Sequence, residues 1–88
     1  MAYKKRLDPD YQDFRRKVLR RDKYTCQMPN CGKKHSLVIH HIIPYAKCYA
    51  LRTDVNNGIT LCKACHKCTF RKEQMYAHLF LTIINGNT

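Results

Sequence analysis

Asn56-Asn57-Gly58-Ile59-Thr60-Leu61-Cys62-Lys63-Ala64-Cys65-His66 is the stretch whose reading decides the fold. Asn-Gly is a turn signal, because both residues accept backbone conformations that bulkier side chains resist. Ile59-Thr60-Leu61 is too short for a helix and rich in β-branched side chains, as a brief strand would be. Cys62-Lys63-Ala64-Cys65-His66 then opens a helix expected to run to about Lys72. Working back along the chain, Leu37-Val38-Ile39-His40-His41-Ile42-Ile43 has the same β-branched character and stops at Pro44, so a first strand precedes this one and carries two histidines near its end. Between the strands, Pro44 to Gly58 has weak periodicity and reads as a loop, with a turn of helix around Tyr45 to Leu51.

Cys26-Gln27-Met28-Pro29-Asn30-Cys31-Gly32 reads as a knuckle, since proline and glycine break regular structure and let two thiolates converge. Cys26-x4-Cys31 and Cys62-x2-Cys65 are separated by roughly thirty residues, and four thiolates complete the tetrahedron that zinc prefers. Cys48 and Cys68 are left over and read as free thiols. Outside this core, Asp8-Pro9 is a good helix start, and Tyr11, Phe14, Val18 and Leu19 form one apolar stripe of a helix over residues 9–22 or thereabouts. A last helix is expected near 73–84, with Met75, Leu79 and Ile83 on one stripe and Tyr76, Phe80 and Ile84 on its neighbour; Asn85 to Thr88 should fray. The expected organisation is one domain over 1–88, with a core from about 24 to 72.

A domain of 88 residues buries only a modest apolar surface and is expected to lean on a metal, disulfides or a partner. The N-terminus, Met1-Ala2-Tyr3-Lys4-Lys5-Arg6-Leu7, lacks the apolar run of a signal peptide, which favours a reducing cytoplasm and hence metal over disulfides. No stretch is long and apolar enough to span a bilayer, so no membrane role is expected. Lysine and arginine total 17 against 6 acids, a net charge of +11, and no acid occurs between Lys23 and Thr53. Such a surface suits phosphates, each of which releases counterions when neutralised, and points to nucleic acid as the partner.

Four elements in order, Cys26-x4-Cys31, Val38-Ile39-His40-His41-Ile42-Ile43-Pro44, Asn57-Gly58-Ile59-Thr60-Leu61-Cys62-x2-Cys65 and His66, resemble the HNH nuclease family. The whole chain looks like the small free-standing HNH proteins of bacteriophages and prophages. The resemblance implies an α+β fold: a ββα-metal core with a two-stranded antiparallel sheet, flanking helices and a structural zinc site at Cys26, Cys31, Cys62 and Cys65. It implies a hydrolase, an endonuclease that nicks or cuts both strands of DNA, held mainly through phosphate contacts, in the cytoplasm of a bacterium or phage-infected host. A monomer or weak dimer is expected, acting beside a partner such as a packaging terminase. Adjacent strand residues face opposite ways, so His40 and His41 should do different jobs. By resemblance, His41 is the general base, Asn57 fixes the loop and helps orient it, and His40 and His66 hold a divalent ion, Mg²⁺, Mn²⁺, Ni²⁺ or Co²⁺. Asn56 is the competing candidate for the central asparagine.

One position departs from the family pattern. Many HNH proteins carry a further histidine four residues after the last one, where this chain has Phe70, expected to be core packing. His35 and His78 receive no role, while Tyr45, Arg52, Arg20, Arg21, Lys33 and Lys34 are candidate DNA contacts. Two other readings stand beside the nuclease: a non-catalytic zinc-stapled module that binds nucleic acid by charge, for which the four site residues would have no use, and an RNA or toxin-like nuclease.

Overall fold

Asp8 begins the first helix by accepting from the Asp10 amide (2.9 Å), and Pro9 occupies a position where a missing amide hydrogen costs nothing. In the computed structural model, residues 8–44 and 46–87 are described; the charged N-terminal stretch 1–7 and Tyr45 lie outside them. Helix α1 spans Pro9–Arg21, strand β1 Leu37–His41, β2 Gly58–Cys62, helix α2 Lys63–Cys68 and α3 Glu73–Gly86. Short 3₁₀ turns at Tyr49–Leu51 and Val55–Asn57 lie in the loop between the strands. This is a small α+β fold on a two-stranded antiparallel sheet. No helix among the described residues is long and apolar enough to cross a membrane.

The register pairs Ile39 with Thr60, His40 with Ile59 and His41 with Gly58, so alternate residues of both strands face opposite sides. One side packs on α1 through Phe14, Val18, Leu19 and Ile39. The other packs Ile42, Ile59 and Leu61 against Phe80 and Ile84 of α3 and against the cysteine knuckle. All five residues of β2 are buried, since this strand has a neighbour on both faces. Gly58 belongs to this packing and not to a turn. Its backbone is extended (φ −119°), and a β-carbon there would lie 2.8 Å from Phe14 Cζ and 2.9 Å from Val18 Cγ2. Only glycine lets α1 come this close.

Several expectations are corrected. Helix α2 ends at Cys68, short of Lys72, because the Thr69 hydroxyl donates to the His66 carbonyl (2.7 Å) and Arg71 turns left-handed (φ +62°). Phe70 therefore lies off the helix and is 68% exposed, not core. On α3 the stripe of Phe80 and Ile84 is buried, while Met75 is 76% exposed. Asn87 does not fray; its amide nitrogen donates to Asp22 Oδ1 (3.0 Å) and Gln27 Oε1 (2.9 Å).

Arg21 is no DNA contact either. Its guanidinium is buried, donating to the Val55 carbonyl (2.8 Å), the Gly58 carbonyl (2.6 Å) and both carboxylate oxygens of Asp22 (2.9 and 3.0 Å). Asp22 in turn accepts from the Thr60 amide (2.9 Å), so one ion pair ties α1 to β2, the interstrand loop and the end of α3. Removing one partner of a buried pair strands the other charge. Asp22→Ala is therefore expected to destabilise the zinc-loaded protein by about 3–5 kcal/mol, read from its denaturant midpoint; an unchanged midpoint would contradict this account.

Candidate active site

The knuckle is built by backbone that folds back on itself. Asn30 and Gly32 adopt left-handed conformations (φ +67° and +73°), and the Cys26 amide donates to the Lys33 carbonyl (2.7 Å). Cys62 closes β2 and Cys65 lies one turn into α2, so the two cysteine pairs meet at the junction of sheet and helix. All four sulfurs lie within 4.8 Å of one another, and Cys31 Sγ is 3.8 Å from Cys62 Sγ. A tetrahedron with zinc–sulfur arms of about 2.3 Å has edges of about 3.8 Å, so the cluster has the size of a zinc site. The backbone N–H of Cys65, donating to Cys62 Sγ at 3.5 Å, brings the Cys62 thiol down to about 7. Burial pushes Cys26 and Cys65 up, and for Cys65 the neighbouring sulfurs add to it. Four thiolates ionise together only when a cation offsets their repulsion, which fits zinc to this donor set. Cys48 and Cys68 stand apart from the cluster.

The histidine pair at the end of β1 diverges as strand alternation requires. His40 turns toward the helices that follow β2: its ring lies 5.5 Å from that of His66 and 5.3 Å from that of Phe80, edge-on to both. It is 3% exposed, and its Nε2 is buried with no hydrogen-bond partner among the described residues. Burial, with help from His66, pushes its pKa down to about 4, so the ring is neutral and able to act as a ligand at physiological pH. His66 itself is exposed on α2. The structure thus brings together the two histidines expected to share an ion, and the orphaned nitrogen of His40 fits that role.

His41 faces α1 instead. Its ring stacks on Phe14 (5.3 Å between centroids) and on Tyr11 (6.2 Å) and is 8% exposed. Its Nε2 lies 2.9 Å from the Arg52 carbonyl oxygen. A carbonyl only accepts, so this nitrogen carries the hydrogen and Nδ1 of the neutral ring carries the lone pair.

Asn57 is buried at the hinge of this arrangement. Its Oδ1 accepts from the Ile43 amide (2.8 Å), and its Nδ2 donates to the carbonyls of Ile43 and Leu51 (both 3.1 Å). One amide thereby clamps the chain just after His41 and just before Arg52, the residue that orients His41. Asn56, by contrast, is exposed and gives only its backbone amide to Asp54 (2.9 Å). Sequence reasoning missed the Arg52 carbonyl, since a backbone acceptor leaves no residue signature, and missed the ring floor from Tyr11 and Phe14, whose helical spacing signals only core. His35 and His78 are both exposed and lie outside these groupings. Among the candidate DNA contacts, Arg20, Lys33 and Lys34 are exposed, Lys34 donating to Thr25 Oγ1 (2.7 Å), and the Arg52 guanidinium lies over the Tyr49 ring at 5.0 Å.

A family model described as HNH endonuclease matches residues 26–71, a segment that holds both strands, α2, the four cysteines, His40, His41, Asn57 and His66. No curated protein and no solved structure matches the chain. With more than half of its length covered by that match and the zinc-type cluster lying inside it, the chain belongs to the HNH endonuclease family.

Proposed function

We propose that this protein is a metal-dependent endonuclease that hydrolyses DNA phosphodiester bonds, with His41 as general base and a divalent ion held by His40 and His66. The observation that carries this reading is the buried, unpartnered Nε2 of His40 beside His66. Buried polar atoms in folded proteins are nearly always satisfied. Among the described residues His40 Nε2 shares its lack of a partner with Thr60 Oγ1; the carboxylate beside Thr60, Asp22, is already paired with Arg21, whereas His40 has the ring of His66 beside it. A module that binds DNA through charge alone has no need of such a pair.

The geometry supports a division of labour among the chain's own residues. The Arg52 carbonyl fixes the tautomer of His41, Phe14 and Tyr11 fix its plane, and Asn57 fixes the loop that supplies that carbonyl. His41 then takes a proton from the water that attacks phosphorus, and in-line displacement leaves a 5′-phosphate and a 3′-hydroxyl. A divalent ion held by His40 and His66 would supply stabilisation of the negative charge that develops as the phosphodiester bond breaks. Exposed cations such as Arg20, Lys33 and Lys34 neutralise flanking phosphates without reading sequence.

End-labelled duplex DNA incubated with zinc-loaded protein tests this. Cleavage to 5′-phosphate and 3′-hydroxyl ends is expected with added Mg²⁺, Mn²⁺, Ni²⁺ or Co²⁺ and none without an added ion. Retention of the duplex without cleavage under every ion would favour the binding module, and cleavage of RNA in preference to DNA would overturn the choice of substrate.

A further inference from the structure

Of the three phenylalanines in the chain, Phe14 and Phe80 are buried and only Phe70 belongs to neither core cluster. The backbone holds it out. The Lys72 amide donates to the Thr69 carbonyl (2.8 Å) across a tight turn with Phe70 at its corner, and the Thr69 hydroxyl ties the start of that turn to the His66 carbonyl. Arg71 completes the turn in the left-handed region (φ +62°), a conformation that a side chain with a β-carbon resists.

The surroundings of this ring fit a particular kind of ligand. Phe70 lines a cleft of about 400 Å³ with His66, Lys67, Thr69 and Glu73, so it lies beside the exposed histidine proposed as an ion ligand. The Arg71 guanidinium lies over the ring, 5.4 Å from its centroid, and the side chain is still 68% exposed. Lys67, Arg71 and Lys72 outnumber Glu73, so this short segment is net positive and attracts a polyanion. A phosphate inside the cleft would meet the Glu73 carboxylate. An uncharged nucleobase would not be repelled: its flat face matches the ring, and amino groups on its edge are donors that a carboxylate accepts. Glu73 Oε2 already accepts from the Arg71 amide (3.2 Å), which leaves the carboxylate with further acceptor capacity. The phosphates on either side of such a base would meet the lysines and Arg71.

From this placement, and resting on the reading of DNA as the protein's partner, we propose that Phe70 is a stacking platform for a nucleobase that has left the helical stack, in a nucleotide next to the cleavage site. Arginine over the ring adds a cation to the platform, as in other surfaces that hold single strands.

The test measures fluorescence anisotropy of a short labelled single strand of mixed sequence, and of a strand of equal length built from abasic nucleotides. Each is titrated with zinc-loaded wild type, Phe70→Ala and Phe70→Tyr, with no added divalent ion. Phe70→Ala is expected to weaken binding of the base-bearing strand by about 5–100-fold and to leave binding of the abasic strand unchanged. Phe70→Tyr keeps the ring and should keep the affinity. Equal weakening on both strands would mark a merely structural role, and unchanged affinity of Phe70→Ala for the base-bearing strand would leave Phe70 to a protein surface; either result would overturn the inference. Failure of the wild type to bind either strand would overturn DNA as the partner and this inference with it. Base-dependent binding by the wild type, lost in Phe70→Ala, with no cleavage of the same strand once a divalent ion is added, would overturn the nuclease reading and leave this inference standing.

Discussion

Removal of zinc is expected to unfold the protein, with loss of its helical circular dichroism and its cooperative thermal transition. Zinc binding to sites of this class contributes about 10–16 kcal/mol in peptide models, while small domains have only about 5–15 kcal/mol of net stability in all. The cysteines are also part of the core: Cys26 and Cys62 pack with Ile42, Ile59, Leu61, Phe80 and Ile84. Losing the ion therefore leaves separate thiols where β2 meets α2 and the knuckle, with nothing to hold the two cysteine pairs together. Cys62→Ala should behave like chelation, because Cys62 ends β2 and also accepts from the amide that starts the turn of α2. Cys48→Ser and Cys68→Ser should retain one zinc per chain and the wild-type transition, since both sulfurs lie outside the cluster. A metal-free protein that still melts cooperatively near the holo temperature would contradict the structural role given to the ion.

Replacement of His41 by alanine is expected to lower the rate of DNA cleavage by about 10²–10⁴-fold, the usual contribution of a positioned general base. Zinc content should not change, because His41 faces α1 and the cysteine cluster lies on the far side of the sheet. Binding of DNA should change little, since phosphate contacts and not this ring carry the affinity. Some stability will be lost with the stacking on Phe14 and Tyr11, so rates belong at a temperature where both proteins are folded. A fall in affinity at unchanged turnover would make His41 a contact and not a base.

Much of this arrangement was legible in the sequence because it rests on short-range chemistry. Strand alternation alone separates His40 from His41, and two cysteine pairs around a sheet announce a shared ion whatever the path between them. The features that were not legible depend on contacts between distant segments. Arg21 sits in a run of basic residues and looks like surface, yet Asp22, Val55 and Gly58 together draw it inside. Gly58 looks like a turn residue beside Asn57, and only the approach of Phe14 and Val18 reveals that it is there for its lack of a side chain. Phe70 is apolar and follows a helix start, but Thr69 ends that helix one residue earlier, so apolarity misleads about burial.

The most direct test of the central claim is a plasmid assay with zinc-loaded wild type and His41→Ala side by side, in EDTA, Mg²⁺, Mn²⁺ or Ni²⁺, resolved on a gel. The expected result is conversion of supercoiled DNA to nicked or linear forms by the wild type, only with added metal, and at least about a hundredfold more slowly by the variant. Equal cutting by the two proteins, or retardation of the plasmid by both with no cutting under any ion, would contradict it.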